Sequence, residues 1–594
     1  MRELRRALAD ILPLLPAAAR RYLWVFALVS AALTLLDTVA VGTLALMLTP
    51  LITGASVRLP GLGEIGNEQI VWWLLGAALL MILKSLANIW LQYHATRKFA
   101  RFELDIGAQL FRAYIRAPWT ERLKRSSTQL AQMSDIGIAN VINGVLYPAA
   151  SLPTEIIGIV SVLLVLVISQ PLTAVITLVY LGGIAFLLFI WISKKAQVAG
   201  RVNRDYALKM VSLIAEMVSA LKEITLRDKS REVGDQIQSV RLHVAGSRSN
   251  IRFLQAVPKF VVDMALIGGF LVIGGAAWLI DGRQGALAAV AIFSIAGFKI
   301  IPGITRAQNF ATTIHANVAF TTTVVADIND AARYEREAQE LGRTPMPDSP
   351  SVLHLSGVEF TYPGAEGPAV RDIDLTVPIG TSVALVGSSG AGKSTLIDLL
   401  LGLLVPSRGT IDVDGHSLSD VLTGWRSRVG YVPQDVTLFD GTIAQNVALT
   451  WSDEVDDARV EEALARAQLL DVVRARPDGI HGRVGERGLT LSGGQRQRLG
   501  IARALYVQPL VLVLDEATSA LDTATEEAVA AAVRDMHGDV TVVSVAHRLS
   551  TIRHSDQVCF MKDGTIVSRG SFDEVVANSS DFAEQARLSG LVRD

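Results

Sequence analysis

Six long apolar runs occupy the first half of the chain, and they restrict its fold more than any other feature. A helix needs about 20 mainly apolar residues to cross a bilayer. Runs of this kind lie near residues 22–50, 70–93, 139–169, 172–193, 260–281 and 285–306. The sequence therefore predicts an α-helical membrane domain with six spans. The apolar core of a secretory signal has only about 7 to 15 residues, so the first run is a span.

The composition agrees with a membrane protein that has a second domain. The chain has 594 residues, of which 50% are hydrophobic, so it is too long for one ordinary domain and too apolar to be wholly soluble. Its single cysteine, Cys559, excludes a disulfide within the chain and a cysteine-rich metal site. Because Cys559 lies in an apolar, strand-like run, we expect it to pack in a core.

Lysines and arginines predict the orientation of the spans, because basic loops are retained in the cytoplasm. Residues 97–125 contain eight of them and residues 194–252 contain twelve, whereas the outer connections are short and nearly free of them. We therefore expect a multi-pass protein of the cytoplasmic membrane with both termini in the cytoplasm. Both basic connections have helical patterns and should extend the spans into the cytosol.

The segment before the first span places Leu4, Leu8 and Ile11 among arginines. This pattern is typical of an amphipathic helix that lies at the membrane interface. A simple solvated helix is the alternative.

A soluble domain follows the spans. The prolines of Thr344–Pro350 mark a linker, so we divide the chain into a membrane domain (1–320), a linker (321–350) and a C-terminal domain (351–594). From Val352 onward, short Val/Ile/Leu runs alternate with helical stretches. This alternation predicts an α/β domain with largely parallel, buried strands.

The strongest motif of this domain is a phosphate-binding loop between an apolar strand (382–386) and a helix that we expect to begin at Thr395. Backbone amides and the helix N-terminus bind phosphate oxygens in such loops, while Lys393 reaches the β- and γ-phosphates and Ser394 ligates Mg²⁺. The motif consists of Gly387, Ser388, Ser389, Gly390, Ala391, Gly392, Lys393, Ser394 and Thr395. It predicts binding of a nucleoside triphosphate.

Two adjacent carboxylates, Asp515 and Glu516, end the apolar run that starts at Val511. Open α/β sheets bind ligands at the carboxyl ends of their strands. We expect Asp515 to hold Mg²⁺ through water and Glu516 to act as the general base for the attacking water. An isolated acidic pair is more often a strand end that meets solvent, but this pair follows a phosphate-binding loop.

A third motif, Leu491-Ser-Gly-Gly-Gln495, precedes a helical run at 496–505. Read alone, Ser492 is a helix cap. The string is the signature of the ABC ATPases, however, and residues 352–594 resemble that family. The resemblance implies nucleotide contacts from Ser492, Gly493, Gly494 and Gln495.

Further positions match the family one by one. Tyr362 matches the aromatic residue that stacks on adenine, and Gln434 matches the glutamine that touches Mg²⁺ and relays closure of the site. Asp522 matches the D-loop aspartate, and His547 matches the switch histidine at the γ-phosphate. Outside this context, each residue is more often a packing, solvated or core residue. The implied cofactors are ATP and Mg²⁺.

The order of the domains resembles exporter-type half-transporters of this family. In that family the signature serine faces the phosphate-binding loop of a second domain, so the resemblance implies a homodimer or a related half-transporter as partner. Segments near 113–124 and 220–231 are expected to form short coupling helices on the ATPase. Glu486 is available for contacts with them, whereas Arg483 departs from the family pattern.

Ionisable residues inside membrane spans are candidates for function. Lys84 and Lys299 lie at inner-leaflet depth and Lys259 near the cytoplasmic boundary, which suits the head group of an anionic amphiphile. Glu155 and Asp263 lie at comparable depths, and Lys259 and Asp263 have the i,i+4 spacing of an ion pair. Internal pairing or snorkelling is therefore the alternative.

The segments 84–119 and 220–231 resemble lipid-linked oligosaccharide flippases. The function expected from these observations is ATP-driven export or flipping of an amphiphilic substrate, a lipid or lipid-linked saccharide. The partners are then a second half-transporter, membrane lipid and substrate, with no nucleic acid. Alternatives are a multidrug or peptide exporter, an importer that shares the fold, and an ATP-gated channel.

Overall fold

A computed structural model describes residues 8–53, 57–59, 63–65, 67–124, 127–169, 171–485, 488–516, 523–545 and 552–588. The chain divides into two compact units. The first comprises Met1–Ala117 and Lys124–Tyr334, and the second comprises Pro118–Leu123 and Glu335–Asp594. The chain thus leaves the first unit for one short segment and returns to it.

Long helices dominate the first unit, because a helix satisfies its own backbone hydrogen bonds in lipid. In chain order, the α-helices up to residue 340 are α1 (Ala17–Thr53), α2 (Asn67–Arg116), α3 (Trp119–Leu123), α4 (Ser127–Gln132), α5 (Ile138–Val141), α6 (Tyr147–Ser169), α7 (Pro171–Ser219), α8 (Leu221–Leu226) and α9 (Ser230–Glu340). A short antiparallel pair, β1 (Val57–Leu59) and β2 (Gly63–Ile65), separates α1 from α2. Two π-helical segments, Met133–Gly137 and Ile142–Leu146, flank α5.

The structure confirms the six predicted spans. Six helices of the described residues are long and apolar enough to cross a membrane: Ala17–Ala40, Val71–Arg116, Leu130–Val167, Thr173–Ser219, Ser230–Ile280 and Ala289–Arg336. The last two belong to α9, which contains a non-helical residue at Gly282 (φ 68°). We number these spans one to six.

The predicted helical extensions are also present. Helix α2 has 50 residues and α7 has 49, which corresponds to about 75 Å at about 1.5 Å per residue, whereas a hydrocarbon core is about 30 Å thick. Helix α9 continues to Glu340, so helix occupies the first two thirds of the interval in which we place the linker (321–350).

At the N-terminus, Leu4 lies outside the described residues. Ile11 and Leu15 are buried, each 2% exposed, in the core that α1 and α2 share. The segment therefore packs at Ile11 against the membrane unit instead of presenting that residue to an interface.

The second unit contains two sheets. Its strands are β3 (Val352–Phe360), β4 (Val370–Pro378), β5 (Ser382–Gly387), β6 (Arg408–Val413), β7 (His416–Ser417), β8 (Val429–Val432), β9 (Val511–Asp515), β10 (Thr541–Val545), β11 (Gln557–Lys562) and β12 (Thr565–Gly570). One sheet has the order β12-β11-β5-β10-β9-β8, in which only β12 is antiparallel. The other, β4-β3-β6-β7, is wholly antiparallel.

The parallel sheet confirms the α/β prediction, whereas the separate antiparallel sheet is an addition to it. The helices of this unit are α10 (Lys393–Leu400), α11 (Leu422–Ser427), α12 (Ile443–Ala448), α13 (Asp457–Arg466), α14 (Leu470–Arg474), α15 (Gly493–Tyr506), α16 (Thr523–Arg534), α17 (Phe572–Asn578) and α18 (Ser580–Leu588). Cys559 on β11 is fully buried, as predicted, and burial raises its pKa to about 12.

Gly200 marks a close approach of two helices in the first unit. A methyl group at Gly200 of α7 would lie 2.1 Å from the carbonyl oxygen of Ala316 on α9. We predict that Gly200→Ala lowers the Tm of the purified protein by several degrees, because overpacking costs about 1 to 3 kcal/mol. Gly183→Ala, on the same helix, is the control because a methyl group there meets nothing within 4 Å. Equal thermal unfolding of the two variants would contradict this contact.

Candidate functional site

The phosphate-binding loop and the acidic pair lie at one edge of the parallel sheet. Strand β10 separates β5 from β9, and Val545 pairs with Leu385 on one side and with Asp515 on the other. Because the three strands are parallel, their carboxyl ends meet at the same edge. The fold thus brings Gly387 and Asp515 together across one intervening strand.

The loop turns directly into α10, which begins at Lys393 and not at Thr395 as expected. Gly390 (φ 83°) and Gly392 (φ 96°) have left-handed backbones that favour glycine. A side chain at Gly392 would also lie 2.7 Å from the carbonyl oxygen of Ala369. The left-handed residue at the helix cap lets α10 start two residues earlier.

The Lys393 ammonium folds back into the loop. Its Nζ donates to the carbonyl oxygens of Gly387 (2.8 Å) and Ser388 (2.9 Å). Burial lowers the pKa of Lys393, while the charges of Glu516 and Asp515 act in the opposite direction. A cation and a helix N-terminus therefore share a small space, which is the arrangement that binds phosphate.

The acidic pair is held by two glutamines and a tyrosine. The Gln434 amide donates to Oε2 of Glu516 (2.7 Å), and the amide of Gln497 donates to the Glu516 carbonyl (3.3 Å). Glu516 itself has a left-handed backbone (φ 53°) just after β9. The Tyr431 hydroxyl lies 3.5 Å from Oδ2 of Asp515. The structure thus joins Gln434 to Glu516 and adds Gln497, which the sequence analysis did not single out.

Ser492 caps α15, which begins at Gly493 and not near Arg496. Its hydroxyl accepts from the Gln495 backbone N–H (3.2 Å), and the Gln495 side chain accepts from the Ser492 N–H (3.0 Å). This reciprocal arrangement is a capping box. The capping interpretation is therefore correct, and the nucleotide contacts of Ser492, Gly493, Gly494 and Gln495 stay predictions.

Tyr362 lies next to the loop but packs inward. Its ring is 4.9 Å from that of Phe360, and its hydroxyl is 3.3 Å from Oγ1 of Thr395. Stacking on adenine stays a prediction for this residue. Asp522, His547 and Glu486 lie outside the described residues.

Arg483 forms an ion pair with Asp440 at 3.1 Å, and both side chains are more than half exposed. Its backbone also forms an isolated bridge with Thr442, the N-cap of α12. Arg483 thus joins two loops of the second unit.

Helix α3, near the first expected coupling segment, belongs to the same unit as the nucleotide-site residues. Trp119 packs against the core of that unit and donates a hydrogen bond to Asp398 on α10, one turn after Ser394. Burial and nearby Asp515 raise the pKa of Asp398 to about 6, and the bond from Trp119 opposes this shift. The first coupling segment therefore touches the helix that begins at Lys393.

The second expected coupling segment contains the short helix α8, which belongs to the first unit. Its contact with an ATPase domain stays a prediction.

The first unit contains a polar cavity of about 490 Å³ within its apolar helices. Spans one, two, three and six line it. Five of its side chains are charged at neutral pH: Asp37, Lys84, Glu155, Lys299 and Arg306. Charged groups at membrane depth are rare and mark functional positions. This cavity is therefore a second candidate site.

The cavity charges are paired internally. Asp37, a residue that the sequence analysis missed, is only 6% exposed, accepts from Lys299 and lies 3.3 Å from Lys84. Arg306 is paired with Glu155 at 2.8 Å. The alternative of internal pairing is thus correct for Lys84 and Lys299, with an unexpected partner.

The expected pair of Lys259 and Asp263 is not formed. Both residues are described, and no ion pair joins them there. Neither residue lines the cavity.

Together, the fold and the loop define a class: a nucleotide-binding α/β domain joined to six membrane-spanning helices. Comparisons with known proteins agree with it. The ABC transporter family profile matches residues 370–519. The chain is 30% identical over 561 residues to the ATP-dependent lipid A-core flippase of Burkholderia orbicola (strain AU 1054), which covers 89% of this chain and 88% of the relative. The flippase of Bordetella avium (strain 197N) is 31% identical, and the match covers 91% of this chain and 90% of the relative.

Another relative matches over a shorter stretch. The lipid A-core flippase of Salmonella paratyphi A is 41% identical, but the match covers 44% of its length. A solved structure of a bacterial Atm1-family ABC exporter with ATP bound shares the fold, with a TM-score of 0.76, 22% identity and coverage of 98% of this chain and 100% of that one. The chain belongs to the ABC transporter family, with the architecture of an exporter-type half-transporter.

The position of Glu516 generates a first functional prediction. Glu516→Gln should lower steady-state ATP hydrolysis by about 100-fold or more, because it removes the carboxylate that we predict to be the general base, while ATP binding is preserved. Hydrolysis is measured as phosphate release, and ATP binding is measured separately with labelled nucleotide. Glu527→Gln is the control, since Glu527 is an exposed partner of Arg534 on α16. Full turnover by Glu516→Gln would exclude the assignment.

Trp119 allows a second prediction. Trp119→Phe keeps an aromatic ring but removes the N–H that Asp398 accepts, so we expect the second unit to lose about 1 to 3 kcal/mol of stability. Urea unfolding followed by circular dichroism measures the loss. Trp451→Phe makes the same change at a side chain that is 75% exposed. An equal response of both variants would rule out this hydrogen bond.

Proposed function

We propose that two copies of this chain form an ATP-driven exporter that moves an amphiphilic lipid across the cytoplasmic membrane. The observation that carries the proposal is the ion-paired cavity among spans one, two, three and six. A polar pocket inside a membrane unit suits a polar head group, while the acyl chains stay in the bilayer. The relatives named as lipid A-core flippases support a lipid or lipid-linked saccharide as substrate.

The chain is a multi-pass membrane protein. Its basic connections, at 97–125 and 194–252, support the assignment of both termini to the cytoplasm. The ATPase unit then faces the cytosolic nucleotide pool.

The residues at the sheet edge suit ATP and its magnesium ion. Lys393 and the backbone amides of the loop bind the phosphates. The Ser394 hydroxyl, the Gln434 side-chain oxygen and the Asp515 carboxylate are oxygen donors of the kind that Mg²⁺ prefers, in a site that keeps waters and substrate phosphates as further ligands. When bound, Mg²⁺ neutralises the charge that develops on the phosphates.

Hydrolysis requires a water that Glu516 activates. The Gln434 amide holds that carboxylate at 2.7 Å, so rearrangement of Gln434 changes the position of the base. His547 contacts the γ-phosphate, Tyr362 the adenine and Asp522 the neighbouring domain, in the roles that the family motif assigns.

Two chains are required because Ser492, Gly493, Gly494 and Gln495 bind the nucleotide held by the loop of the other copy. ATP therefore stabilises the closed pair of ATPase units, and hydrolysis releases it. Because ATP has different affinities for the open and closed states, its binding and hydrolysis bias the membrane cavity towards one face of the membrane or the other.

Reconstituted vesicles test this proposal. With the ATPase units outside, ATP should move a fluorescent lipid from the outer leaflet to the inner one, so that the fraction quenched by external dithionite falls. The Glu516→Gln variant should show no ATP-dependent change. ATPase stimulation by drugs, without movement of any lipid, would contradict a lipid substrate.

A further inference from the structure

The cavity of the first unit contains more positive than negative charge. Three cations, Lys84, Lys299 and Arg306, face two carboxylates, Asp37 and Glu155. One formal positive charge is therefore in excess. An unbalanced charge in a partly buried site is unfavourable, and one anionic group would neutralise it.

Asp37 sets this balance. It lies on span one, is 6% exposed, and contacts the ammonium groups of Lys84 on span two and Lys299 on span six. The two lysines thus share one counterion. Without Asp37, the excess would be two charges and a different ligand would be favoured.

The cavity also contains hydroxyl groups without partners. Ser151 Oγ and Thr154 Oγ1, on span three, have no hydrogen-bond partner within the described part of the chain, and Ser151 is 9% exposed. By contrast, Thr34 and Thr38 on span one donate to backbone carbonyls at 2.9 and 3.1 Å. Buried hydroxyls are normally paired, and both oxygens are closed to solvent, so Ser151 and Thr154 would gain partners by turning towards the polar atoms of a ligand.

We propose that this cavity selects a lipid head group with a single net negative charge and adjacent polar groups, a phosphodiester bearing hydroxyls, over a phosphomonoester or a zwitterionic head group without net charge. The phosphate lies near Lys84 and Lys299, and the hydroxyls meet Ser151 and Thr154. A volume of about 490 Å³ is sufficient for a head group but not for a whole lipid. The inference rests on the proposed lipid transport and specifies its substrate class.

Lipids that differ only in the head group test the selection. Binding of phosphatidylglycerol, phosphatidic acid and phosphatidylcholine with identical acyl chains is measured on the full-length protein in detergent by native mass spectrometry. The pH is held well above the second pKa of a phosphomonoester, which is about 6, so that phosphatidic acid carries two negative charges. Phosphatidylglycerol should bind roughly tenfold more tightly than the other two, because an uncompensated charge weakens binding by at least that factor.

Charge-changing variants separate selection from folding. Asp37→Asn should reverse the preference towards phosphatidic acid. The double variant Asp37→Asn, Lys84→Gln returns the excess to one charge, so it should restore the preference for phosphatidylglycerol. Asp263→Asn removes a carboxylate that does not line the cavity and should change nothing.

The hydroxyls have a separate readout. Ser151→Ala and Thr154→Val should each weaken phosphatidylglycerol binding by about fivefold, the value of one hydrogen bond. Ser85→Ala is the matched control, since its hydroxyl donates to the Met81 carbonyl.

Two outcomes would overturn the inference. One is equal or tighter binding of phosphatidic acid by the wild type, and the other is an unchanged preference in Asp37→Asn. If the wild type still moves lipid in the vesicle assay, only the head-group selection fails. Charge-dependent binding without ATP-dependent movement of any lipid would instead overturn the proposed function and leave the binding site in place.

Discussion

The bilayer leaves backbone hydrogen-bonding groups without water, and the first unit of this protein follows from that constraint. Each span is a helix that satisfies its own backbone, and side chains within the spans must either be apolar or find partners in the protein. Asp37 is the clearest case, because a carboxylate that is 6% exposed is tolerated only with cations beside it. Its two lysines come from different helices, so one ionic contact restricts the packing of spans one, two and six.

The second unit depends on a different constraint, the alignment of parallel strands. Strands β5, β10 and β9 end at one edge of the sheet. The loop that starts at Gly387 and the carboxylates of Asp515 and Glu516 at the end of β9 therefore lie at the same edge. Residues far apart in sequence, such as Gln434 and Glu516, then come within 2.7 Å. Trp119 adds a contact with α10, because the short segment Pro118–Leu123 belongs to the second unit although the chain on either side of it belongs to the first.

The sequence was sufficient for features that depend on local patterns. The apolar runs predicted six spans, and the glycine spacing predicted the loop between β5 and α10. Element boundaries shifted where local chemistry was overlooked: α10 begins at Lys393 because Gly392 is left-handed, and α15 begins at Gly493 because Ser492 caps it. The capping rule for serine would have placed the start of α15 correctly, whereas Gly392 has no side chain that caps α10.

Other features depend on packing, which a single sequence does not reveal. Nothing local indicates that Trp119 meets Asp398, since 279 positions separate them. The separate antiparallel sheet left a signal that was overlooked, because β4 alternates buried and exposed residues whereas β5 and β9 are almost continuously apolar. Asp37 is different: an acidic residue inside a span is a visible signal, but its partners on spans two and six become known only from the fold.

The two candidate sites use lysines in opposite ways. Lys393 donates to two neutral backbone carbonyls, so no carboxylate in the described part of the chain holds its ammonium group directly, although the charges of Asp515 and Glu516 act on it from nearby. Lys84 and Lys299 share the charged Asp37, which removes one unit of positive charge from the cavity. The oxygen that holds each lysine thus decides what its direct partner leaves for a ligand. Carbonyl partners leave the Lys393 ammonium group available to a phosphate oxygen, whereas Asp37 already offsets one of the two charges of Lys84 and Lys299.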